Sequence, residues 1–568
     1  MNAPIAPSPL DLRPLDPDPF WIARSLWDVQ QAWLAHPSEL AEAIIKLGTG
    51  LALIQSNAIQ QVLGVKQGSS SQVNKEGERD DRFKDPQWTE NPFFALLKQY
   101  YLLSSRWLVD TISATPDLDP KTQRRATFWA RQVLDALAPS NFFWTNPQAL
   151  QRFVETGGGS LVEGFRLYLQ DTLAGEVRMV DSSAFHVGKN LATTPGEVVF
   201  RNNLLELIQY TPTTTQVRAI PIVIVAPWIN KYYILDLTPQ KSLVRWLVAQ
   251  GYTVFITSWK NPGREMRDVQ FEDYLQSGLL PALEVARQLC QSPSVHAVGY
   301  CIGGTLLACL QAWLAQEETT PPLVSSWTLY TTLVDFSQPG DVEMFITEDS
   351  IALLERIMAE QGYLDGAQMA QSFRLLRPNS LLWNYVIQSY LYGNEPPPLD
   401  VLYWNTDTTR LPMAMHSFYL RQFYLHNRLI EPGSTRLAGR SLDLSRITAP
   451  LYAVGTDQDH IAPWKGTFSI CRWVQGPVRY ALTSSGHILG VINPPVNPPK
   501  RHYWAAEASG ATDPEAWQAG ASQHKGSWWE DWRDWLAGQT GELVPSRRPG
   551  SNNFPPLEAA PGSYVLER

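Results

Sequence analysis

Apolar and polar positions follow two patterns along this chain, first a helical period and later short apolar runs. Apolar residues recur at helical spacing in residues 20–63, and the same period returns between Asn91 and about Gly175. The polar residues 67–86, which contain Gly and Ser, predict a linker between these stretches. We therefore expect residues 1–180 to form a mostly helical N-terminal domain.

In the remainder of the chain, short apolar runs rich in β-branched residues alternate with amphipathic segments. Strands are predicted at 221–225, 253–257, 295–298, 450–454 and 478–482. Helical segments at 241–250 and 274–290 lie between the early strands. This alternation predicts a parallel sheet with right-handed crossovers, in a second domain that spans residues 181–568. Residues 335–445, rich in Trp, Tyr, Leu and Pro, interrupt the alternation and predict an insertion.

One predicted strand leads into a turn with a recognisable chemical pattern. The segment 299–303 reads GYCIG, and a helical segment follows it directly. A nucleophile between two glycines at a strand-to-helix turn is the nucleophile elbow of α/β-hydrolases. The predicted class is therefore α/β, an α/β-hydrolase fold with a large cap insertion at 335–445. The side chain at the apex is Cys301, a thiol in place of the usual hydroxyl.

Candidates for an acid and a base follow two later strands. His487 comes after the strand at 478–482, and Asp457 and Asp459 come after the strand at 450–454. In α/β-hydrolases the nucleophile, the acid and the histidine occur in this order, and open α/β sheets place their sites at the carboxyl ends of strands. The sequence therefore predicts Cys301 as nucleophile and His487 as base, with Asp459 or Asp457 as acid.

A thiol at this turn favours a particular class of reaction. A cysteine at a helix N-terminus beside a histidine gains thiolate character. Exchange of the acyl group between a thioester and a thiolate is nearly balanced in free energy, and the acyl-enzyme stays activated. Transfer of that group to an alcohol is then favourable, provided that a cap excludes water. The pattern thus favours acyl transfer from a thioester to an alcohol.

Composition limits the partners, the cysteine chemistry and the cellular compartment that we expect for this protein. The 568 residues carry a formal net charge of −9, which argues against a nucleic-acid partner. The four cysteines form no CxxC pair, so we expect neither a zinc site nor a disulfide framework, and we expect a reducing cytoplasm. The sequence near Met1 has no basic flank followed by an apolar run, so neither a secretory signal nor a transmembrane segment is predicted.

Several longer motifs resemble those of polyhydroxyalkanoate synthases, and most closely the class I, short-chain type that acts without a second subunit. These motifs are GYCIGG at 299–304, WINKYYILDL at 228–237, DHIAPW at 459–464 and GHILGVINPP at 486–495. The resemblance runs from about residue 88 to the end of the sequence. It implies polymerisation of (R)-3-hydroxyacyl-CoA, such as 3-hydroxybutyryl-CoA, into a polyester, with release of CoA through a Cys-bound thioester.

The resemblance also implies roles for individual residues. Cys301 is the expected nucleophile, His487 the base that activates it, and Asp459, which opens the DHIAPW motif, the matching acid. The backbone N–H groups of Ile302 and Ile229 are the expected oxyanion hole. Either Asp459 or His487 is expected to activate the 3-hydroxyl group.

Further implications concern cofactors and partners. No metal or organic cofactor is expected, because the CoA thioester is the substrate. The expected partners are the growing polyester, the surface of polyester granules and a second copy in a homodimer. The N-terminal helices, residues 1–180, resemble the family region linked to dimer formation and granule association.

Two other functions use the same features differently. A thioesterase or polyester depolymerase of this fold would use the same three residues with water as acceptor, and it would release free acid without polymer. A granule-binding protein with an inactive hydrolase fold would need the Cys301, Asp459 and His487 pattern to be accidental.

Overall fold

The protein is described by a computed structural model, which covers residues 16–62, 80–317 and 319–568. Its described residues group into two compact units, one formed by Asp16–Asp181 with Gln371–Pro398 and the other by Ser182–Ala370 with Leu399–Arg568. The first stretch of the first unit ends at Asp181, close to the expected boundary at residue 180. The segment Gln371–Pro398, expected as part of the insertion at 335–445, groups with this unit instead. Most of the expected linker at 67–86 lies outside the described residues.

The first unit is helical. Its main helices are Ile22–Ala35, Pro37–Val62, Gln87–Glu90, Pro92–Ser113, Pro120–Ala136, Pro147–Glu155 and Gly159–Ala174. Three of them begin with proline behind a capping side chain, since Asn91, Asp119 and Asn146 each accept a backbone N–H of the first turn. The segment Gln371–Pro398 adds the end of a helix and the π- and α-helical turns of Asn379–Leu391.

The second unit is built on a large sheet. In chain order its strands are β1 Gly196–Arg201, β2 Leu205–Tyr210, β3 Ile222–Val225, β4 Val254–Trp259, β5 Val295–Tyr300, β6 Val324–Tyr330, β7 Leu451–Thr456, β8 Val478–Thr483, β9 His502–Glu507, β10 Ser522–Lys525 and β11 Glu558–Ala559. The five strands predicted from the sequence are all confirmed, as β3, β4, β5, β7 and β8.

The order of the strands identifies the fold. Across the sheet it is β10-β9-β8-β7-β6-β5-β3-β4-β2-β1-β11. Strands β3 to β8 pair in parallel, whereas β2 is antiparallel to both β1 and β4. An order of 1-2-4-3-5-6-7-8 with an antiparallel second strand is that of the α/β-hydrolase fold, to which β9, β10 and β11 add antiparallel edges. The expected fold class is confirmed.

Helices bury both faces of the sheet, which explains why its parallel strands are apolar throughout. The helices of this unit are Leu243–Ala249, Phe271–Asp273 with the π-helical Tyr274–Leu279 and Leu280–Cys290, Ile302–Leu314, Glu348–Gln361, Asp400–Thr406, Met413–Tyr419 with the π-helical Leu420–Leu425, Trp464–Phe468, Ile470–Trp473, Pro514–Gly520 and Trp528–Ala537. Short two-stranded ladders join Gln216–Arg218 to Leu543–Pro545, Arg436–Leu437 to Arg440–Ser441, and Tyr363–Leu364 to Leu411–Pro412.

Candidate active site

Cys301 occupies a strained turn between β5 and the helix Ile302–Leu314. Its φ of 52° and ψ of −124° lie in a region that non-glycine residues rarely adopt. Glycines make the turn possible, because a Cβ at Gly299 would lie 2.4 Å from the Gly304 Cα, and one at Gly303 would lie 2.5 Å from the Val225 carbonyl oxygen. The strand, the turn and the helix thus present the Cys301 side chain at the carboxyl end of β5.

The acid and the base come together at the same edge of the sheet. Asp459 lies in the loop after β7 and His487 in the loop after β8, and the His487 Nδ1 and Asp459 Oδ2 atoms are 2.7 Å apart. The Cys301 side chain lies near enough to the His487 ring for its charge to raise the pKa of that ring. The ring therefore contacts the carboxylate and lies close to the thiol, in the arrangement that nucleophilic catalysis by a cysteine requires.

Asp459 is held by its surroundings, and Asp457 is not part of this contact. The Asp459 Oδ1 atom accepts the backbone N–H groups of Ile461 and Ala462, each at 2.9 Å, and Oδ2 also accepts the Thr456 hydroxyl at 3.2 Å. Asp457 instead accepts the backbone N–H of Ser485 at 2.8 Å. Of the two carboxylates left open by the residue pattern, the structure brings Asp459 to His487.

Charge favours the protonated form of His487. Burial lowers the pKa of this ring, but the charges of Asp459 and Cys301 raise it by more, so that the pKa of His487 reaches about 10. Burial alone would raise the pKa of Asp459, yet the contact with His487 lowers it below its ordinary value. A ring with this environment takes up a proton readily beside the Cys301 thiol, as a thiolate–imidazolium pair requires.

Aromatic side chains that the sequence pattern did not single out surround these groups. The Tyr300 ring stacks on the His487 ring with centroids 5.7 Å apart, and the Tyr300 hydroxyl donates to the His487 carbonyl oxygen at 3.3 Å. Burial raises the pKa of Tyr424 and that of Tyr419, and the charge of Cys301 adds to both effects. Tyr419 and Tyr424 come from the insertion, so only the folded chain shows that they lie near Cys301.

The two residues expected to form an oxyanion hole belong to segments that meet. The first turn of the helix that begins at Ile302 packs against the carbonyl groups of Val225 and Ala226, which lead into the loop of Ile229. This loop is held by its carbonyl groups, since Thr409 donates its hydroxyl to Trp228 and its N–H to Ile229, the latter at 3.2 Å. Among the described residues, the N–H groups of Ile302 and Ile229 donate to no protein acceptor.

Within residues 16–62, 80–317 and 319–568, no three His, Cys, Asp or Glu side chains are grouped so as to hold a metal ion. In the same part of the chain, no helix combines the length and the apolar character needed to cross a membrane.

Comparison with known proteins identifies the family. Residues 79–247 match the family model described as Poly-beta-hydroxybutyrate polymerase (PhaC) N-terminus. A poly(3-hydroxyalkanoate) polymerase of Methylorubrum extorquens is 44% identical over 549 residues, which cover 96% of this chain and 89% of that protein. A poly(3-hydroxyalkanoate) polymerase subunit of Cupriavidus necator is 41% identical over 493 residues, 86% of this chain and 83% of that protein. This chain therefore belongs to the poly(3-hydroxyalkanoate) polymerase family.

Proposed function

We propose that this protein polymerises (R)-3-hydroxyacyl-CoA into polyhydroxyalkanoate with release of CoA, through a thioester on Cys301. The observation that carries this proposal is the position of His487, which contacts Asp459 and lies near Cys301, in a chain of this family. The polymerising activity follows from family membership. The roles of the three side chains, given next, are inferred from their geometry and charge.

The reaction begins with transfer of the acyl group to the enzyme. His487 takes the thiol proton of Cys301, and the thiolate attacks the carbonyl carbon of the acyl-CoA thioester. The bond from that carbon to the CoA sulfur then breaks, and the leaving thiolate takes the proton from His487. The N–H groups of Ile302 and Ile229 are the proposed donors to the oxygen that becomes negative in this step.

Chain growth uses the 3-hydroxyl group of the next monomer. Its oxygen attacks the acyl-enzyme carbonyl, its proton passes to His487, and the bond to the Cys301 sulfur breaks. The lengthened chain, now esterified to the CoA thioester of the new monomer, returns to Cys301 by the first step. We assign the hydroxyl proton to His487 because the Asp459 side chain is fully buried, whereas that of His487 is 9% exposed. Asp459 then orients the ring and stabilises its charge.

This mechanism needs no metal or organic cofactor, because the thioester substrate supplies the activation. The product ester is more stable than the thioester that it replaces, so transfer to the alcohol is favourable as long as water stays out of the site. A thioesterase or depolymerase would use the same residues without that exclusion. The apolar and aromatic surroundings of Cys301 supplied by Tyr300, Tyr419 and Tyr424 favour the polymerase.

We further propose that the protein acts on short-chain monomers in the cytoplasm, and that it forms a homodimer and associates with polyester granules through its helical unit. Exposed apolar side chains support the granule contact. On the helix Gly159–Ala174, Val162 is 73% exposed and Leu173 is 89% exposed, and Trp144 nearby in the chain is 78% exposed. Such surfaces mark sites that bind apolar partners, and a growing polyester is one.

One experiment tests the proposed chemistry. CoA release and turbidity are followed together after (R)-3-hydroxybutyryl-CoA is added to the wild type, to Cys301→Ala and to the control Cys309→Ala. Cys309 is fully buried in the helix Ile302–Leu314 that follows Cys301, so this control changes a nearby cysteine outside the site. We expect both signals in the wild type and the control and neither in Cys301→Ala. CoA release with free hydroxy acid in a clear solution would identify a thioesterase instead.

A further inference from the structure

A buried carboxylate outside the catalytic set lies in the loop that follows β6. Asp335 is almost fully buried, and its Oδ1 atom accepts the Asn427 side-chain amide at 2.9 Å and the Ser337 N–H at 3.0 Å. Its Oδ2 atom accepts Arg472 at 2.6 Å. The Asn427 amide oxygen in turn accepts the N–H of Phe336 at 2.7 Å. The Asn427 side chain thus binds two successive residues of this loop.

Asn427 ends the helical run that carries the aromatic residues near Cys301. Its own N–H donates to the Phe423 carbonyl oxygen at 2.9 Å, in the π-helical turns that continue the helix Met413–Tyr419. On the other side of the contact, Phe336 packs against this run. The centroid of its ring is 4.8 Å from that of Tyr424 and 6.1 Å from that of Tyr419. The Asp335–Asn427 contact therefore fixes one end of an aromatic wall formed by Phe336, Tyr419 and Tyr424.

The other side of this wall faces the nucleophile. Tyr419 and Tyr424 lie near enough to Cys301 for its charge to add to the rise of the pKa that burial causes in both phenols. Thr305, in the first turns of the helix that follows Cys301, donates its hydroxyl to the carbonyl oxygen of Leu333 at 2.8 Å, in the loop that leads to Asp335. The helix Ile302–Leu314 is thus bonded to the loop after β6, and that loop in turn contacts the aromatic wall through Phe336.

We propose that Asp335 and Asn427 form a latch, a pair of positioning residues that holds the aromatic wall against Cys301 and so keeps water from the acyl-enzyme. The latch acts on the thioester put forward above and rests on that proposed function. It sets how the acyl group divides between the two acceptors, the hydroxyl of the next monomer and water. Neither latch residue touches the reacting atoms.

The test measures the ratio of free 3-hydroxy acid to released CoA with (R)-3-hydroxybutyryl-CoA. Asn427→Asp keeps the oxygen that binds Phe336 but sets a second carboxylate against Asp335, so like charges oppose each other. We expect the ratio to rise about tenfold, the change that corresponds to one lost hydrogen bond. The double variant Asp335→Asn/Asn427→Asp restores a donor opposite an acceptor, and we expect it to recover most of the wild-type ratio.

A milder variant and a control complete the design. Arg472→Gln removes only the cation from Asp335, and we expect a smaller rise in the ratio. This variant carries the test if Asn427→Asp yields too little folded protein. Asp531→Asn is the control, because Asp531 is a carboxylate on the helix Trp528–Ala537 that accepts Arg479 at 2.6 Å and Tyr452 at 2.8 Å.

Loss of folded enzyme lowers both products alike and leaves their ratio unchanged. A wild-type ratio in folded Asn427→Asp and Arg472→Gln, or an equal rise in Asp531→Asn, would overturn the latch. CoA release that persists in Cys301→Ala would overturn the thioester itself, so the two failures are distinct.

Discussion

Replacing Asp459 by asparagine changes one atom of the site and tests the assignment of the acid. The carboxylate accepts hydrogen bonds from Ile461, Ala462, Thr456 and His487. An asparagine amide oxygen in the place of Oδ1 keeps the bonds from Ile461 and Ala462. The amide nitrogen then occupies the place of Oδ2, where it is a donor and the negative charge is gone.

This exchange reverses the hydrogen bonding of His487. Its Nδ1 atom must now accept, so the ring proton moves to the nitrogen that serves Cys301, and the thiol loses its acceptor. We expect turnover to fall by about a thousand- to ten-thousandfold, the scale seen when a triad acid no longer orients its histidine. We expect the free energy of unfolding to fall by about 2 kcal/mol, because charge-assisted bonds to a buried group become neutral or are lost.

Initial rates of CoA release give the first quantity, and denaturant titration gives the second. Asp457→Asn is the matched control, because it changes the same residue type two positions away and keeps an oxygen for the N–H of Ser485. We expect its rate to stay within about twofold of the wild type, as for changes away from the reacting groups. A rate in Asp459→Asn above about a tenth of the wild type, or an equal loss in Asp457→Asn, would refute the assignment of Asp459.

Three further predictions follow from the same geometry. Cys301→Ser should retain only slight polymerase activity, because its oxoester is a poorer acyl donor, and wild-type turnover in the assay of CoA release would contradict this. Gly303→Ala should lower both the melting temperature and the rate, since its Cβ would lie 2.5 Å from the Val225 carbonyl oxygen, and an unchanged melting temperature would show that the strand yields. The raised pKa of His487 contributes stability that is complete below pH 6.5 and lost as the pH rises through about 10. The lowered pKa of Asp459 contributes stability that is lost only as the pH falls through its folded value. The free energy of unfolding should therefore decline between pH 6.5 and about pH 10 in the wild type, and more weakly in Asp459→Asn. Parallel curves for the two proteins would count against the ion pair of His487 and Asp459.

The parallel strands and the nucleophile turn were predictable because local sequence determines them. A strand covered on both faces must be apolar throughout, so Ile222–Val225 and Val254–Trp259 stand out as β-branched runs. The turn at Cys301 needs glycines at fixed positions, and these can be read directly. The antiparallel strands Gly196–Arg201 and Leu205–Tyr210 were not predicted, because polar residues such as Glu206 occur within them. Glu206 is fully buried and its charge is satisfied by Arg201, a partner that local patterns do not reveal.

The resemblance of the DHIAPW motif favoured Asp459, but the strand pattern alone leaves Asp457 and Asp459 open, and the aromatic wall too is visible only in the folded chain. Both carboxylates follow the same strand, and only the path of the loop after β7 decides which one reaches His487. Tyr419 and Tyr424 lie more than a hundred positions from Cys301, in a segment with no strand pattern. Their place near the thiol follows from contacts such as Phe336 with Tyr424, which no local periodicity encodes.

The thiol and the basic histidine support one another in the proposed mechanism. The charges of Asp459 and Cys301 raise the pKa of His487, so the ring readily takes the proton that the thiol gives up during the reaction. A serine in this place would stay neutral, and the site would lose one of the two anions that stabilise the imidazolium. The stored proton is then available to the CoA thiolate as it leaves, and the ring is free to accept the proton of the next hydroxyl. A histidine that takes up a proton readily beside the nucleophile therefore suits a reaction that repeats acyl exchange between thiols many times on one chain.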